Sequence, residues 1–238
     1  MAIRLQPLEA AKKFVATHFP NCNAALLAGS ASRGQHKENS DLDIVIIDDA
    51  LPSAYRESLT DFGWRIEAFI HTTESIKQCF ENDRNKGRPT MPNMCASGII
   101  LRDDGTVLAL KREAQMLLDE GPKLLTPDEI RASRYFLTDL LDDFIDADRF
   151  DEALMTMNVL SLQVAQFVLR VNGRWIGRGK GLAREFRQFN EKLSNRYIEA
   201  IRVFSRTEHK QPFIQFVDDM LEPHGGRLFE GFSLGKQK

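Results

Sequence analysis

The sequence predicts an α+β protein in which a mixed sheet with flanking helices, over residues 1–122, is followed by an all-α helical bundle over residues 123–238. In the first half, apolar runs of strand length alternate with helical periodicity, whereas the second half carries helical periodicity alone. A Gly121-Pro122 pair, which is typical of a turn, separates the two patterns. A chain of 238 residues can form one large domain or two modest ones. The change of pattern favours two.

Strand and helix signals follow one another closely in the first half. Residues 7–19 carry apolar side chains at helical spacing, and the apolar runs at 24–28 and 41–47 are typical of strands. A third strand is predicted at 64–70, where polar and apolar residues alternate, after a brief helix at 53–61. The remaining predictions are a helix over 72–83, a loop over 85–93, an ambiguous apolar segment at 94–101, and a segment over 107–118 that begins extended and becomes helical.

The second half opens with a strong helix start. Thr126 and Glu129 form a capping-box pattern, and Pro127 occupies the first helical position that proline favours. This helix is predicted to reach about Ala147, and a second long helix covers 150–171. The remaining predictions are a basic, glycine-rich connection at 172–181, shorter helices near 182–189, 194–204 and 212–221, and an irregular tail from Pro223.

Composition narrows the function classes. The net charge of −2 provides no global basic field for nucleic acid, although a local basic groove is compatible with it. Cys22, Cys79 and Cys95 are odd in number and lack CxxC spacing, which argues against a disulfide framework and a zinc site. No uninterrupted apolar run approaches the ~20 residues of a membrane span, and the N-terminus lacks the apolar core of a signal peptide. We therefore expect a cytoplasmic protein with reduced thiols, no membrane contact and no nucleic-acid partner.

Two aspartates at the head of the second predicted strand are the first candidate site. Asp41 and Asp43 are separated by a single residue, so their side chains share one face of a strand. Carboxylates held so close repel each other unless a cation lies between them or one of them takes up a proton. Mg²⁺ typically binds one or two carboxylates together with substrate phosphates. The pair therefore predicts a metal–nucleotide site.

Glu67 is the candidate for a third acid, because it interrupts an otherwise apolar strand where a carboxylate is costly without a cation. Two-metal phosphoryl and nucleotidyl transfer uses cations about 3.5–4 Å apart. A third acid on a neighbouring strand would complete such a site. The alternative is a salt bridge with Arg65 or Lys77, or an exposed position on an edge strand.

A small-residue turn and an acidic motif precede the third strand: Gly29-Ser30, Arg33-Gly34 and Ser40-Asp41-Leu42-Asp43. They fit the pattern GS-x-x-x-G…S-D-x-D, and this part of the chain resembles the polymerase-β-like nucleotidyltransferase superfamily. Glu67 fits the third acidic position of that superfamily. The layout, a catalytic domain followed by a helical bundle, resembles the bacterial aminoglycoside and lincosamide nucleotidyltransferases. The motif covers roughly residues 24–70, and the likeness of residues 123–238 is architectural alone.

The resemblance implies a role for each side chain of the motif. Asp41 and Asp43 would bind Mg²⁺, and Glu67 would be a third metal ligand or the general base on the acceptor hydroxyl, so these three are the expected catalytic and metal-binding residues. The nucleotide would be bound by Gly29, Ser30, Arg33, Ser40 and Lys180. The alternatives are a solvated loop cation for Arg33, a local cap on the strand for Ser40, and a flexible loop with ordinary surface charges for Lys180.

The resemblance also implies an activity. The expected enzyme is a Mg²⁺-dependent nucleotidyltransferase with a two-metal site that moves NMP, in the first instance AMP from ATP, to a hydroxyl of a small molecule and releases pyrophosphate. The leading acceptor class is an aminoglycoside-like antibiotic, as in antibiotic resistance. One alternative acts on a protein or RNA partner, as antitoxin-like nucleotidyltransferases do, and another is a non-catalytic nucleotide-binding or interaction module. The helical half disfavours the first, because it could supply an acceptor pocket, and the three acids disfavour the second. The acceptor, the NTP and the oligomeric state do not follow from the sequence.

Overall fold

The computed structural model describes residues 4–235 of the chain. The chain divides into two compact units, of which the first ends at Pro122 and the second begins at Lys123. Among the described residues, the first unit holds a mixed sheet with helices and the second unit is helical. The predicted fold class is confirmed.

The first unit runs α1 (Pro7–His18), β1 (Ala24–Ala28), α2 (Gly29–Ser32), β2 (Leu42–Ile47), β3 (Tyr55–Asp61), β4 (Trp64–His71), α3 (Thr73–Lys86), α4 (Thr90–Ser97), β5 (Ile99–Arg102) and α5 (Val107–Glu120). Its described strands form one sheet in the order β3-β4-β2-β1-β5. The β2–β4 pair is parallel, and the other neighbours are antiparallel. The central strands β1 and β2 are buried almost throughout, which explains why they are continuous apolar runs and do not alternate.

Strand alternation separates the core of the first unit from its acidic residues. Phe14 of α1 packs in one buried cluster with Ile44 of β2 and Ile66 of β4. Successive strand side chains point to opposite faces. Asp43 and Glu67, which directly precede and follow these core residues, therefore lie on the other face of the sheet, and both are half-buried.

The predicted helix at 53–61 is wrong, because this segment is the edge strand β3. It pairs antiparallel with β4 through a two-residue turn at Phe62-Gly63. Both turn residues have positive φ, 51° and 78°, the conformation of a tight hairpin turn whose twist suits the flanking strands. Most of β3 is exposed. The strand therefore carries no apolar alternation, and its pairing with β4 decides its conformation.

Two further boundaries differ from the predictions. The helix α4 begins at Thr90, inside the segment 85–93 that is predicted to be a loop. Pro92 is compatible with this helix because it lies in the first turn, where a missing N–H removes no helical hydrogen bond. Residues 107–118 are helical from their first residue rather than extended. Asp103 explains this start, since its Oδ1 accepts the N–H groups of Gly105 and Val107, at 2.7 and 3.1 Å.

The second unit contains α6 (Pro127–Asp146), α7 (Phe150–Val171), α8 (Lys180–Phe189), α9 (Glu191–Thr207), α10 (Gln211–Leu221) and a short 3₁₀ helix, Glu222–His224. The capping box at the start of α6 is formed, since Thr126 accepts the N–H of Glu129 and the Glu129 carboxylate accepts the N–H of Thr126. By length and composition α7 could cross a membrane, with a mean hydropathy of 1.3. Half of that apolar stretch of α7 is buried inside the protein, and Leu160 and Val164 belong to the apolar core of this unit. We therefore describe α7 as its core helix.

Candidate active site

The turn that follows β1 brings the backbone against a carboxylate. Gly29 begins α2 with a φ of +67°, in the left-handed region that glycine favours. A Cβ at this position would lie 1.9 Å from Oδ2 of Asp43. The pairing of Ala28 with Asp43 in the β1–β2 ladder brings these groups together. Gly29 therefore serves the turn and also leaves the space that the Asp43 carboxylate occupies.

The three predicted acids act on one another in the structure. Asp43 and Glu67 are directly opposite partners in the parallel β2–β4 register, so their side chains are neighbours on one face. Asp41 directly precedes β2, which begins at Leu42 and not at residue 41. Burial raises the pKa of the Asp43 carboxyl to about 6, with smaller contributions from the negative charges of Asp41 and Glu67. Ionised Asp43 therefore lacks sufficient positive charge around it.

Two serine hydroxyl groups connect α2 with the end of the loop that leads to β2. The Ser30 and Ser40 hydroxyl oxygens lie 3.5 Å apart, so these two predicted nucleotide-binding residues are brought together. The Ser40 hydroxyl also accepts the Lys37 N–H at 2.8 Å, which is the local capping role proposed as the alternative. The positive charge of Arg33 acts on Asp43 and lowers its pKa, which places this side chain close to the acids.

Two arginines hold the backbone of the loop that leads to Asp41. Arg4 donates to the Glu38 carbonyl at 2.9 Å, and its guanidinium lies 3.6 Å from the centre of the Trp64 ring. Arg65 donates to the carbonyl of Asn39. Arg65 therefore positions the loop. The salt bridge between Arg65 and Glu67, which the sequence suggested as an alternative, is not among the ion pairs of the described residues. Neither loop contact could be recognised from sequence spacing.

Glu67 has a partner that the sequence did not suggest. Arg56 of β3 donates to Oε2 of Glu67 and forms an ion pair with it. The other proposed partner, Lys77, lies near Glu113 instead, at 3.8 Å. Arg56 was missed because residues 53–61 were predicted to be a helix, which would not place position 56 beside β4. The Phe62-Gly63 turn between two short polar and apolar runs was the signal that could have revealed it.

The carboxylate oxygens of the site are suitable ligands for a magnesium ion, but the three acids do not surround one common point. Among residues 4–235, no three or more His, Cys, Asp or Glu side chains are grouped so as to hold a metal ion. Glu67 directs its carboxylate to Arg56. Asp41 and Asp43 remain, and their mutual repulsion together with the raised pKa of Asp43 is the condition that a hard divalent cation relieves. The pair fits Mg²⁺.

Lys180 lies in the second unit, exposed at the first residue of α8. The preceding Gly179 has a φ of +52°, and a Cβ at Gly177 would lie 2.2 Å from the carbonyl carbon of Gly181, so two glycines of this basic loop are required by its shape. The loop is therefore a defined turn into α8. The role of Lys180 in nucleotide binding stays a prediction.

Comparison with known proteins supports this description of the first unit. Residues 8–81 match the model of a family described as the nucleotidyltransferase domain, and the match spans Gly29, Asp41, Asp43 and Glu67. A solved structure similar to the chain is that of a nucleotidyltransferase-like protein from Exiguobacterium sibiricum 255-15, with 10% sequence identity and a TM-score of 0.49, covering 91% of this chain and 73% of that one. No curated protein matches the chain. Neither that family description nor the name of that solved structure mentions an acceptor or an aminoglycoside. Over residues 8–81 the chain is thus similar to a nucleotidyltransferase domain.

Proposed function

We propose that this protein is a Mg²⁺-dependent nucleotidyltransferase that moves NMP, in the first instance AMP from ATP, to a hydroxyl group of a small molecule and releases pyrophosphate. The observation that carries the proposal is the carboxylate of Asp43. It is half-buried against the backbone of Gly29, beside Asp41 and Glu67, and its pKa is raised to about 6. A half-buried carboxylate with a purely structural role would be paired with a positively charged side chain. The Asp43 carboxylate is instead arranged to bind a cation from solution.

Asp41 and Asp43 are the residues that would hold Mg²⁺. The chemistry that bound Mg²⁺ supplies is neutralisation of the phosphate charge on the nucleotide and on the pyrophosphate leaving group. Glu67 is the third acid, either as a further ligand or as the base that takes the proton of the acceptor hydroxyl. Both roles require its carboxylate to be free of Arg56.

In the first unit, the proposed phosphate contacts come from the loop after β1. We assign the β- and γ-phosphates to the Ser30 hydroxyl and the N–H groups around it, with Arg33 nearby and Ser40 supporting Ser30 at 3.5 Å. Lys180 is a nucleotide-binding residue that we propose from the sequence resemblance alone. In the transfer, the acceptor oxygen forms a bond to the α-phosphorus, the bond from that phosphorus to the bridging oxygen breaks, and pyrophosphate departs.

The acceptor class proposed first is an aminoglycoside-like or lincosamide-like antibiotic, which would make the protein a resistance enzyme. The order of the two units along the chain, with a nucleotidyltransferase-like domain followed by a helical unit, is the feature that supports this class. We also infer a cytoplasmic location, in line with the three free cysteines and the use of ATP.

The test is Mg²⁺-dependent pyrophosphate release, measured with each of the four NTPs across a panel of small hydroxyl compounds that includes aminoglycosides and lincosamides. We expect one acceptor class to trigger release, and transfer of label from α-³²P-NTP to that compound. Asp43→Asn should lower the rate by about a hundredfold or more, because it removes one metal-binding carboxylate. Asp119→Asn, at an exposed carboxylate of the same unit, is the matched control and should leave the rate unchanged.

Three results would contradict the proposal. Undiminished turnover by Asp43→Asn would remove the acids from the reaction. A panel without effect, together with labelling of a co-expressed protein or RNA, would replace the small molecule by a macromolecular acceptor. Failure of ATP to bind in the presence of Mg²⁺ would leave a non-catalytic module.

A further inference from the structure

Arg56 lies at the edge of the sheet, directly beside the third acid. In the β3–β4 ladder Arg56 is opposite Phe69, and its guanidinium lies 4.8 Å from the centre of that ring. Glu67 is two residues before Phe69, so both project from the same face of β4. Arg56 reaches across that face and donates to Oε2 of Glu67. One guanidinium thus contacts the ring and the carboxylate together.

The contact with Arg56 competes directly with metal binding. A divalent ion would use the oxygens of the same carboxylate that Arg56 now holds. A doubly charged ion beside a fixed guanidinium is also opposed by charge repulsion. Arg56 and Arg33 are, in addition, the two arginines whose charges act on Asp43. Glu67 can therefore join a metal site only after Arg56 has moved away.

The structure gives Arg56 the freedom to move. Its side chain is 56% exposed and that of Glu67 is 28% exposed, so the ion pair is partly solvated and can be broken at small cost. The strand β3 is an edge strand of the described sheet, and most of its residues are exposed. The Phe69 ring offers the guanidinium a second favourable contact that does not depend on Glu67.

We propose that Arg56 controls metal binding at this site: in the nucleotide-free protein it holds Glu67 as a substitute cation, and it releases Glu67 when a divalent ion enters with the NTP. Arg56 is thus a positioning residue that acts through Glu67. Its consequence is that the free protein binds divalent ions weakly, through Asp41 and Asp43, and the third carboxylate joins the site together with the nucleotide. This inference rests on the proposed function and assigns Glu67 the role of metal ligand.

The test is a titration of the nucleotide-free protein with Mn²⁺, followed by electron paramagnetic resonance of the free ion. Arg56→Gln should raise the Mn²⁺ affinity roughly two- to fivefold, the range that corresponds to loss of a partly exposed ion pair. The same substitution in a Glu67→Gln background should produce a smaller rise, because the contribution that passes through that carboxylate is lost and only the direct action of the Arg56 charge on Asp43 remains. Arg84→Gln is the matched control, since Arg84 pairs with Glu120 at 2.9 Å in the same unit, and it should leave the affinity unchanged.

Arg56→Lys keeps a positive charge but lacks the planar group that contacts both partners. It should give an affinity between those of the wild type and Arg56→Gln, and it provides a second reading if Arg56→Gln unfolds. The proposal is overturned if Arg56→Gln leaves Mn²⁺ affinity unchanged or lowers it, if the full rise persists without Glu67, or if no variant binds Mn²⁺. The expected rise in a protein that transfers no nucleotide would refute the proposed function and leave the role of Arg56 in place. Normal transfer with an unchanged Mn²⁺ affinity would do the reverse.

Discussion

Replacing Asp43 with asparagine should stabilise the metal-free protein at neutral pH, although the same substitution is expected to abolish activity. The ionised carboxylate is half-buried and lies beside Asp41 and Glu67. Asparagine has nearly the same shape and carries no charge, so it removes the desolvation of the anion and the repulsion together. The gain in stability and the loss of function then have one cause.

The size and sign of this effect follow from the pKa. Below the ordinary value of 3.8 both folded and unfolded states hold the proton, and the carboxyl group costs nothing. Between 3.8 and about 6 the unfolded state ionises first, so the free energy of unfolding falls as the pH rises, and above about 6 the penalty is constant. At 1.36 kcal/mol for each unit of pKa the full penalty approaches about 3 kcal/mol, and solvent screening reduces it to roughly 1–3 kcal/mol.

The assay is urea unfolding in EDTA, followed by the fluorescence of Trp64 in a Trp175→Phe background. Trp64 is buried in the first unit, so its fluorescence reports on that unit, and Trp175→Phe removes the tryptophan of the second unit. Asp43→Asn should be the more stable protein at pH 7.5, and its advantage should disappear toward pH 4. Asp119→Asn, at an exposed carboxylate, should change the free energy of unfolding at neither pH.

Saturating Mg²⁺ should stabilise the wild type, have little effect on Asp43→Asn and so reduce the difference between them, because a ligand that binds only the folded state adds to its stability. The reasoning would be refuted if Asp43→Asn destabilised the first unit at pH 7.5. It would also be refuted if the advantage of the variant were the same at pH 4 and pH 7.5.

Three other outcomes are expected. Gly29→Ala should lower the free energy of unfolding by about 2 kcal/mol more than Gly34→Ala, since both positions have positive φ but only the first meets a carboxylate; equal losses in urea unfolding would contradict this. Thr126→Ala should cost the second unit about 1 kcal/mol, because the first turn of α6 loses its cap, and thermal unfolding by circular dichroism would detect no change if the cap were unimportant. Burial raises the pKa of Cys95 to about 12, so a thiol reagent at pH 8 should label it only after unfolding; rapid labelling of the native protein, located by peptide mapping, would argue against a buried thiol.

The acids of the site could be predicted because their arrangement is local in sequence. Asp41 and Asp43 are separated by a single residue, and Glu67 lies in a strand between the buried residues Ile66 and Ala68. Strand periodicity alone is therefore enough to assign Asp43 and Glu67 to a face of their strands. The parallel β2–β4 pairing, which makes Asp43 and Glu67 neighbours, is a long-range property that periodicity does not specify.

Arg56 could not be predicted, because the features that define its position are outside its own segment. β3 is an exposed edge strand, so its side chains carry no apolar alternation, and its conformation depends on the turn at Phe62-Gly63 and on hydrogen bonds to β4. The close approach of Gly29 to Asp43 was equally hidden. A Gly-Ser turn indicates a change of chain direction, and only the folded backbone reveals which side chain occupies the space left by the missing Cβ.

The parallel pairing of β2 with β4 also has a consequence for how the protein folds. β3 and β4 are joined by a two-residue turn and can pair as a local hairpin. β2 and β4 are separated in the sequence by β3, so their parallel pairing joins residues that are farther apart along the chain. Asp43 and Glu67 are brought together by this pairing, and their repulsion is part of its cost. We expect a divalent ion bound between them to offset that cost. The carboxylates of the candidate site thus also bear on the stability of the sheet that carries them.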